Sequence, residues 1–176
     1  MRLGKLYIIL AVAALALSAC NSSGCLENRS SLLYAVFYSM ESGEKISVDS
    51  LEIIGEGMDD KDPLSAAGSP IGQILLPMRS TKDVTTWVFK YRQHQIDMPE
   101  LYDTISFRYD STPYFASSDC GVVYNYQINK VTYTKHLIDS VSVLDSLVTN
   151  VDKERLRVYF RTRSAANQAP AGIHTR

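Results

Sequence analysis

The chain has 176 residues and is nearly neutral, with 18 Lys and Arg against 19 Asp and Glu. Removing residues 1–19 from the 176 leaves 157, and takes Arg2 and Lys5 from the 18 basic side chains, so that 16 face 19 acidic ones. Such a length suits one domain with a worthwhile core, and such a balance gives no electrostatic case for nucleic acid or for an anionic membrane surface as partner.

The first element is an address. Arg2 and Lys5 precede twelve uncharged, mostly apolar residues, Leu6 to Leu17, and then Ser18-Ala19-Cys20. This is the layout of a secretory signal over residues 1–19, and the apolar run is too short to span a bilayer. Leu17-Ser18-Ala19-Cys20 resembles a lipobox, which implies that Cys20 is alkylated with diacylglycerol and becomes the new, acylated amino terminus. An ordinary cleaved signal would want a small residue where Leu17 stands. Two or more acyl chains anchor stably, and no later stretch approaches the ~20 apolar residues of a membrane-spanning helix. The expected membrane partner is therefore reached through lipid on Cys20. Asn21-Ser22-Ser23-Gly24 carries neither an Asp directly after the cysteine nor an acidic cluster, so the expected site is the outer membrane, facing the periplasm.

With Cys20 lipidated, Cys25 and Cys120 remain, and an even pair in an oxidising compartment reads as a disulfide. Two free thiols, or a metal site recruiting His94 or His136, are the alternatives, although no Cys-x-x-Cys or His-x-x-x-His spacing supports a metal.

The rest of the chain is patterned as strands. Leu32–Tyr38 is a β-rich run with apolar residues on both faces. Val48–Ile54 leads into Gly55-Glu56-Gly57, which breaks it. Ile74–Leu76 is stopped by Pro77. Thr85–Tyr91 places Trp87, Phe89 and Tyr91 on one face. Val122, Tyr124, Tyr126 and Ile128 share another. Leu156, Val158 and Phe160 alternate with Arg155, Arg157 and Arg161, which predicts a half-buried strand with a wet basic face. Val141–Val151 fits a strand in its first half and either a strand or a helical face in its second.

A phrase, apolar-Asp-[Ser/Thr]-apolar-x-apolar, begins at Val48, Tyr102 and Ile138, at unequal spacings that exclude a solenoid. Asp and Ser/Thr bond nearby backbone in turns, after which alternation starts a strand. Seven to eight short antiparallel strands predict an all-β, immunoglobulin-like sandwich over residues 20–161. Residues 162–176, rich in Ala, Gln and Pro without periodicity, are read as a disordered tail.

In the order and spacing of its motifs the sequence resembles a family catalogued as a domain of unknown function, small lipoproteins of anaerobic Gram-negative gut bacteria. The matching pieces are Cys20, Cys25, Val36-Phe37-Tyr38, Ile74-Leu75-Leu76-Pro77, Tyr114-Phe115-Ala116-Ser117 before Cys120-Gly121, and Val158-Tyr159-Phe160. The chain departs in carrying Leu156-Arg157 where the family tends to place a His. The resemblance implies a lipid-anchored extracytoplasmic β-domain with Cys25 and Cys120 paired. It hands over no catalytic residue.

Catalytic signatures are missing: no Gly-x-Ser-x-Gly elbow, Walker loop or His-Glu-x-x-His occurs. His94 and His136 sit in polar, turn-like surroundings where an exposed structural histidine is the plainer reading, and His174 falls in the tail. Gly55-x-Gly57 lacks the following Gly and helix of a phosphate loop. Asp59, Asp60 and Asp62 could begin a calcium shell, but Lys61 stands among them and a solvated loop is the plainer reading. Eleven tyrosines and one tryptophan raise the prospect of stacking on sugars, yet Trp87/Phe89/Tyr91 and Tyr124/Tyr126 stand at strand periodicity, as core aromatics do. The expectation is a non-enzymatic protein without cofactor or metal, anchored in the cell envelope and associating there with another envelope protein. The rivals are a glycan- or small-ligand-binding module at the outer membrane, and an envelope enzyme using His94 or His136.

Overall fold

The computed structural model describes residues 31–58, 62–93, 98–118 and 121–162. In chain order it has β1 (Leu32–Ser39), β2 (Leu51–Gly55), β3 (Gln73–Pro77), β4 (Val84–Tyr91), a single 3₁₀ turn (Pro99–Leu101), β5 (Asp103–Ser117), β6 (Gly121–Tyr133), β7 (Ile138–Val143), β8 (Leu147–Val148) and β9 (Leu156–Phe160). One sheet runs β3-β1-β9-β7 and the other β2-β4-β5-β6-β8. The all-β expectation holds. Among the described residues no helix is long and apolar enough to cross a membrane.

Two details depart from seven or eight antiparallel strands. Nine strands form among the described residues, because β8 is two residues held to Tyr126 and Gln127, too short to leave a period. The pairing of β1 with β9 is parallel, Ala35 opposite Leu156 and Phe37 opposite Val158. β1 lies inside its sheet, between β3 and β9, and carries buried residues on both faces: Leu33, Ala35 and Phe37 face the core, while Val36 and Tyr38 are buried on the other side.

Inward residues of both sheets make one core. Phe37 meets Phe160 edge-on at 5.2 Å and Phe89 at 6.4 Å, joining β1, β9 and β4. Trp87, Phe89 and Tyr91 all point into this core, as their alternation predicts. On β6 the predicted face is correct for Tyr124, Tyr126 and Ile128, but an irregularity opposite Arg108/Tyr109 leaves one extra residue in β6. Such a bulge inverts the alternation, so further along Val131 and Tyr133 pack on the core. The segment after Val143 forms no helix. It turns and supplies β8.

The repeated Asp phrase proves to be three different devices. At Asp49-Ser50 it is a turn, with Ser50 in the left-handed region at φ 52° and β2 starting at Leu51 rather than Val48. At Asp139 it is an irregularity in the pairing of β7 with β9. At Asp103 it opens β5, with a fully buried carboxylate.

Candidate functional site

The outward face of the four-stranded sheet carries an aromatic and ionic cluster. Parallel pairing puts Tyr38 beside Tyr159, their rings 5.5 Å apart, and Val36 beside Arg157. The Arg157 guanidinium lies 5.0 Å from the centre of the Tyr38 ring, within reach of a cation–π attraction. Arg157 Nε donates to Glu154 Oε1 at 2.6 Å, and the Tyr38 hydroxyl donates to the same oxygen at 2.9 Å. Lys45 Nζ stands 4.0 Å from the other oxygen. Burial pushes the Glu154 carboxyl up, but the bonds from Arg157 and Tyr38 outweigh it and hold the group below its ordinary value. Burial, then Glu154, pushes the Tyr38 hydroxyl up, and the bond to Glu154 raises Arg157. The cluster is fixed and charged, with Tyr38 buried beneath it and the Arg157 side chain 38% exposed.

Next to it, Tyr34 donates to Gln73 Oε1 at 2.7 Å across the β1–β3 pair. Tyr34, Gln73 and Leu75, with Ile74, Leu64 and Asp152, line an open concavity of about 540 Å³ along edge strand β3. A second cleft, of about 250 Å³, opens between the sheets beside Ile46, Val48, Leu137 and Phe160.

The candidates named from sequence are scattered. Trp87 is 5% exposed and in the core, with its indole N–H unpartnered, and Tyr91 and Tyr126 are buried too. These aromatics are therefore not a sugar-stacking row. His136 is exposed, and only its backbone is engaged, its N–H donating to Asp103 and its carbonyl accepting from Arg161. Its imidazole makes no hydrogen bond among the described residues. Asp62 is exposed, while Asp59 and Asp60 lie outside the described residues. So do Cys20, Cys25, Cys120, His94, His174 and the signal over 1–19. No group of three or more His, Cys, Asp or Glu among the described residues could hold a metal ion.

The wet basic face needs correction at one position. Arg157 and Arg161 are accessible, but Arg155 is 1% exposed. Its Nη1 donates to Asp145 Oδ2 at 2.8 Å, and its Nη2 to Thr149 Oγ1 at 2.8 Å and the Val151 carbonyl at 3.1 Å. Polar partners supplied by the 145–151 segment let a guanidinium be buried where alternation alone predicts exposure.

Sequence reasoning overlooked the Asp103 hub and the Glu154–Arg157 pair. The first had a signal, since Asp103 stands inside the repeated phrase. The second had a weaker one, an acid three residues before a base, which is a helical spacing and points away from a strand.

Compared with known families, residues 50–160 match the profile of a family of unknown function, DUF6452. No curated protein and no solved structure matches the chain.

Proposed function

The chain belongs to this family of unknown function, the match covering more than half its length, and we propose that it is a lipid-anchored cell-envelope protein whose immunoglobulin-like sandwich binds another envelope protein without catalysis. The observation that carries the reading is the packing of Tyr38, Tyr159 and Arg157 together, with Glu154 bonded to Arg157 and Tyr38. Tyrosine and arginine dominate the energetics of protein interfaces, and side chains already held in place lose little entropy when a partner docks. The neighbouring concavity beside Tyr34 and Leu75 offers a recess for a partner's apolar anchor. Cys20, at the end of a lipobox, supplies the attachment, and the oxidising side of the membrane suits the pair Cys25 and Cys120. The calcium reading of Asp59, Asp60 and Asp62 adds nothing to this surface.

Site-specific photocrosslinking in cells tests it. A photoreactive side chain at Tyr159 or Tyr34 is expected to capture one envelope protein, and Arg157→Ala is expected to abolish that adduct. The same group at Ser106, on the other sheet, is expected to capture none. Equal capture from all three positions removes the protein-interaction reading. Saturable binding of a purified polysaccharide, lost on Tyr159→Ala with folding intact, establishes the glycan module instead.

A further inference from the structure

The hairpin of β5 and β6 outruns the sandwich. Its core-facing pairs are Tyr109 with Ile128, Ser111 with Tyr126, Pro113 with Tyr124, and Phe115 with Val122. Tyr109, Tyr126 and Ile128 are buried, and Tyr124 is half-buried against the core. Among the described residues no strand lies opposite the last pair. Phe115 is 68% and Val122 60% exposed, the two most exposed large apolar side chains among the described residues. β4 pairs with β5 only over Asp103–Arg108, and β8 touches β6 only at Tyr126 and Gln127. Among the described residues the distal stretch is therefore a two-stranded ribbon with an exposed apolar pair on one face and buried Val123 on the other.

The direction of that ribbon gives the tip a partner. β1 starts at Leu32, opposite Pro77. The next residues, Met78 to Ser80, are bonded to the middle of the hairpin through Tyr126, Tyr109 and Ser111. The chain thus enters the fold at the end from which the tip projects. Ten residues, Asn21 to Ser30, separate Cys20 from Ser31, a reach of at most ~40 Å when fully extended. The expected Cys25–Cys120 bond, outside the described residues, would shorten the path further, since Cys120 directly precedes Gly121. Composition agrees. From Ser111 to Gln127 the one charged residue is Asp119, and the stretch holds Tyr114, Phe115, Tyr124 and Tyr126. Tyr is enriched at the headgroup boundary of a bilayer, and Phe is among the side chains that bury into it.

We infer that the β5–β6 tip, through Phe115 and Val122, dips into the lipid leaflet that holds the anchor and sets the orientation of the domain on the membrane. The inference rests on the lipid-anchor reading of Cys20. With no Lys or Arg from Ser111 to Gln127, the contact requires no anionic lipid and is insensitive to salt. Orientation then leaves the outward face of the four-stranded sheet, with Tyr159 and Arg157, beside the membrane rather than against it.

The full lipidated chain carrying Phe115→Trp is reconstituted in phosphatidylcholine vesicles containing chains brominated near the headgroup. Met40→Trp, at the opposite end and 49% exposed, is the control, and buried Trp87 contributes equally to both. Metabolic labelling with an alkyne-palmitate analogue reports the anchor separately. The expected result is a labelled protein whose tip indole emission is blue-shifted and quenched at least twofold more than the control, unchanged between 0.05 and about 0.5 M salt. Quenching equal to the control in a labelled protein overturns the tip contact and leaves the anchor standing. A blue shift that grows with protein concentration and ignores the bromines assigns the tip to a second copy and overturns it as well. An unlabelled protein removes the anchor reading and this inference with it.

Discussion

The Tyr91 hydroxyl donates to the Asp103 carboxylate at 2.8 Å, with both residues buried. The same carboxylate accepts from the Thr134 hydroxyl and from the backbone N–H groups of His136, Leu137 and Ile138, each at 2.8 Å. Tyr91 and Asp103 belong to the five-stranded sheet, while Ile138 opens β7 in the other. One side chain therefore fixes the crossover between sheets. Burying a carboxylate is tolerable only with such a full set of donors.

Asp103→Ala is expected to destabilise the fold by about 3–5 kcal/mol, because it strands several buried donors at once. Asp103→Asn puts an amide N–H₂ against some of those donors and is expected to cost about 2–3 kcal/mol, and Tyr91→Phe about 1 kcal/mol. Urea midpoints at constant slope measure the series. An Asp103→Asn protein as stable as the wild type contradicts the hub.

Stability is expected to fall in acid through Glu154 and Asp145. Burial raises Glu154, but Arg157 and Tyr38 bring it below its ordinary 4.5. The Lys153 bond, then the Leu147 N–H and Arg155, hold Asp145 below its ordinary 3.8. A depressed carboxylate contributes stability above its unfolded value and loses it as pH falls through the folded one. The loss accordingly sets in below about pH 4.5. Glu154→Gln is expected to flatten part of that slope in urea midpoints taken from pH 6 to 2. A slope identical to the wild type removes Glu154 from the account.

Alkali acts on the opposite limb. Burial, then the Asp103 charge, pushes the Tyr91 hydroxyl well above its ordinary 10. The folded state thus resists ionisation that the unfolded state accepts, so this stability is whole below pH 10 and declines above it. Tyr91→Phe is expected to lower stability at pH 7 and to reduce the decline between pH 10 and about 11.5. Parallel declines in both proteins contradict the assignment.

Arg155 is expected to be needed for its fork and not for its charge alone. It reaches Asp145, Thr149 and Val151 together, and its own carbonyl accepts from Leu144 N–H. Lysine cannot reproduce that geometry. Arg155→Lys is expected to cost about 1–2 kcal/mol and Arg155→Ala about 2–4 kcal/mol. Hydrogen exchange at Leu147 is expected to accelerate in both. Lysine restoring full protection there contradicts the requirement for the fork.

How much of this could be read beforehand depended on whether a feature was local. Strand periodicity in 85–91 and 156–160 is a local property, and it placed Trp87, Phe89, Tyr91, Leu156, Val158 and Phe160 in the core correctly. The fate of Arg155 depended on a loop returning over it, and the exposure of Val122 on where the opposite sheet ends. Neither is encoded in a window of neighbours. The phrase at Val48, Tyr102 and Ile138 shows the same limit. Each Asp bonds nearby groups, but only tertiary context makes Asp103 a hub, Asp49 a turn residue and Asp139 part of an irregular pairing. Thr162, assigned to the tail, has its N–H donating to Glu41 at 2.9 Å.

On the proposed lipid-anchor reading of Cys20, Cys25 and Cys120 are left over in an oxidising compartment and are expected to pair. The fold gives the pair a mechanical sense. Gly121, next to Cys120, opens β6 at the end of a ribbon that has no further strand partners among the described residues, and a two-stranded ribbon alone is marginal in water. A bond to Cys25 would tether the ribbon to the segment that leads into β1. Closing a loop of roughly 95 residues would also remove about 4–5 kcal/mol of denatured-state entropy by the loop-closure argument. Mass spectrometry after alkylation is expected to find neither thiol modified in the native protein and both modified after reduction. Reduction is further expected to speed hydrogen exchange at Val122–Asn125 more than in β9. Two thiols alkylated in the unreduced native protein, or exchange at 122–125 unaffected by reduction, overturns the tether.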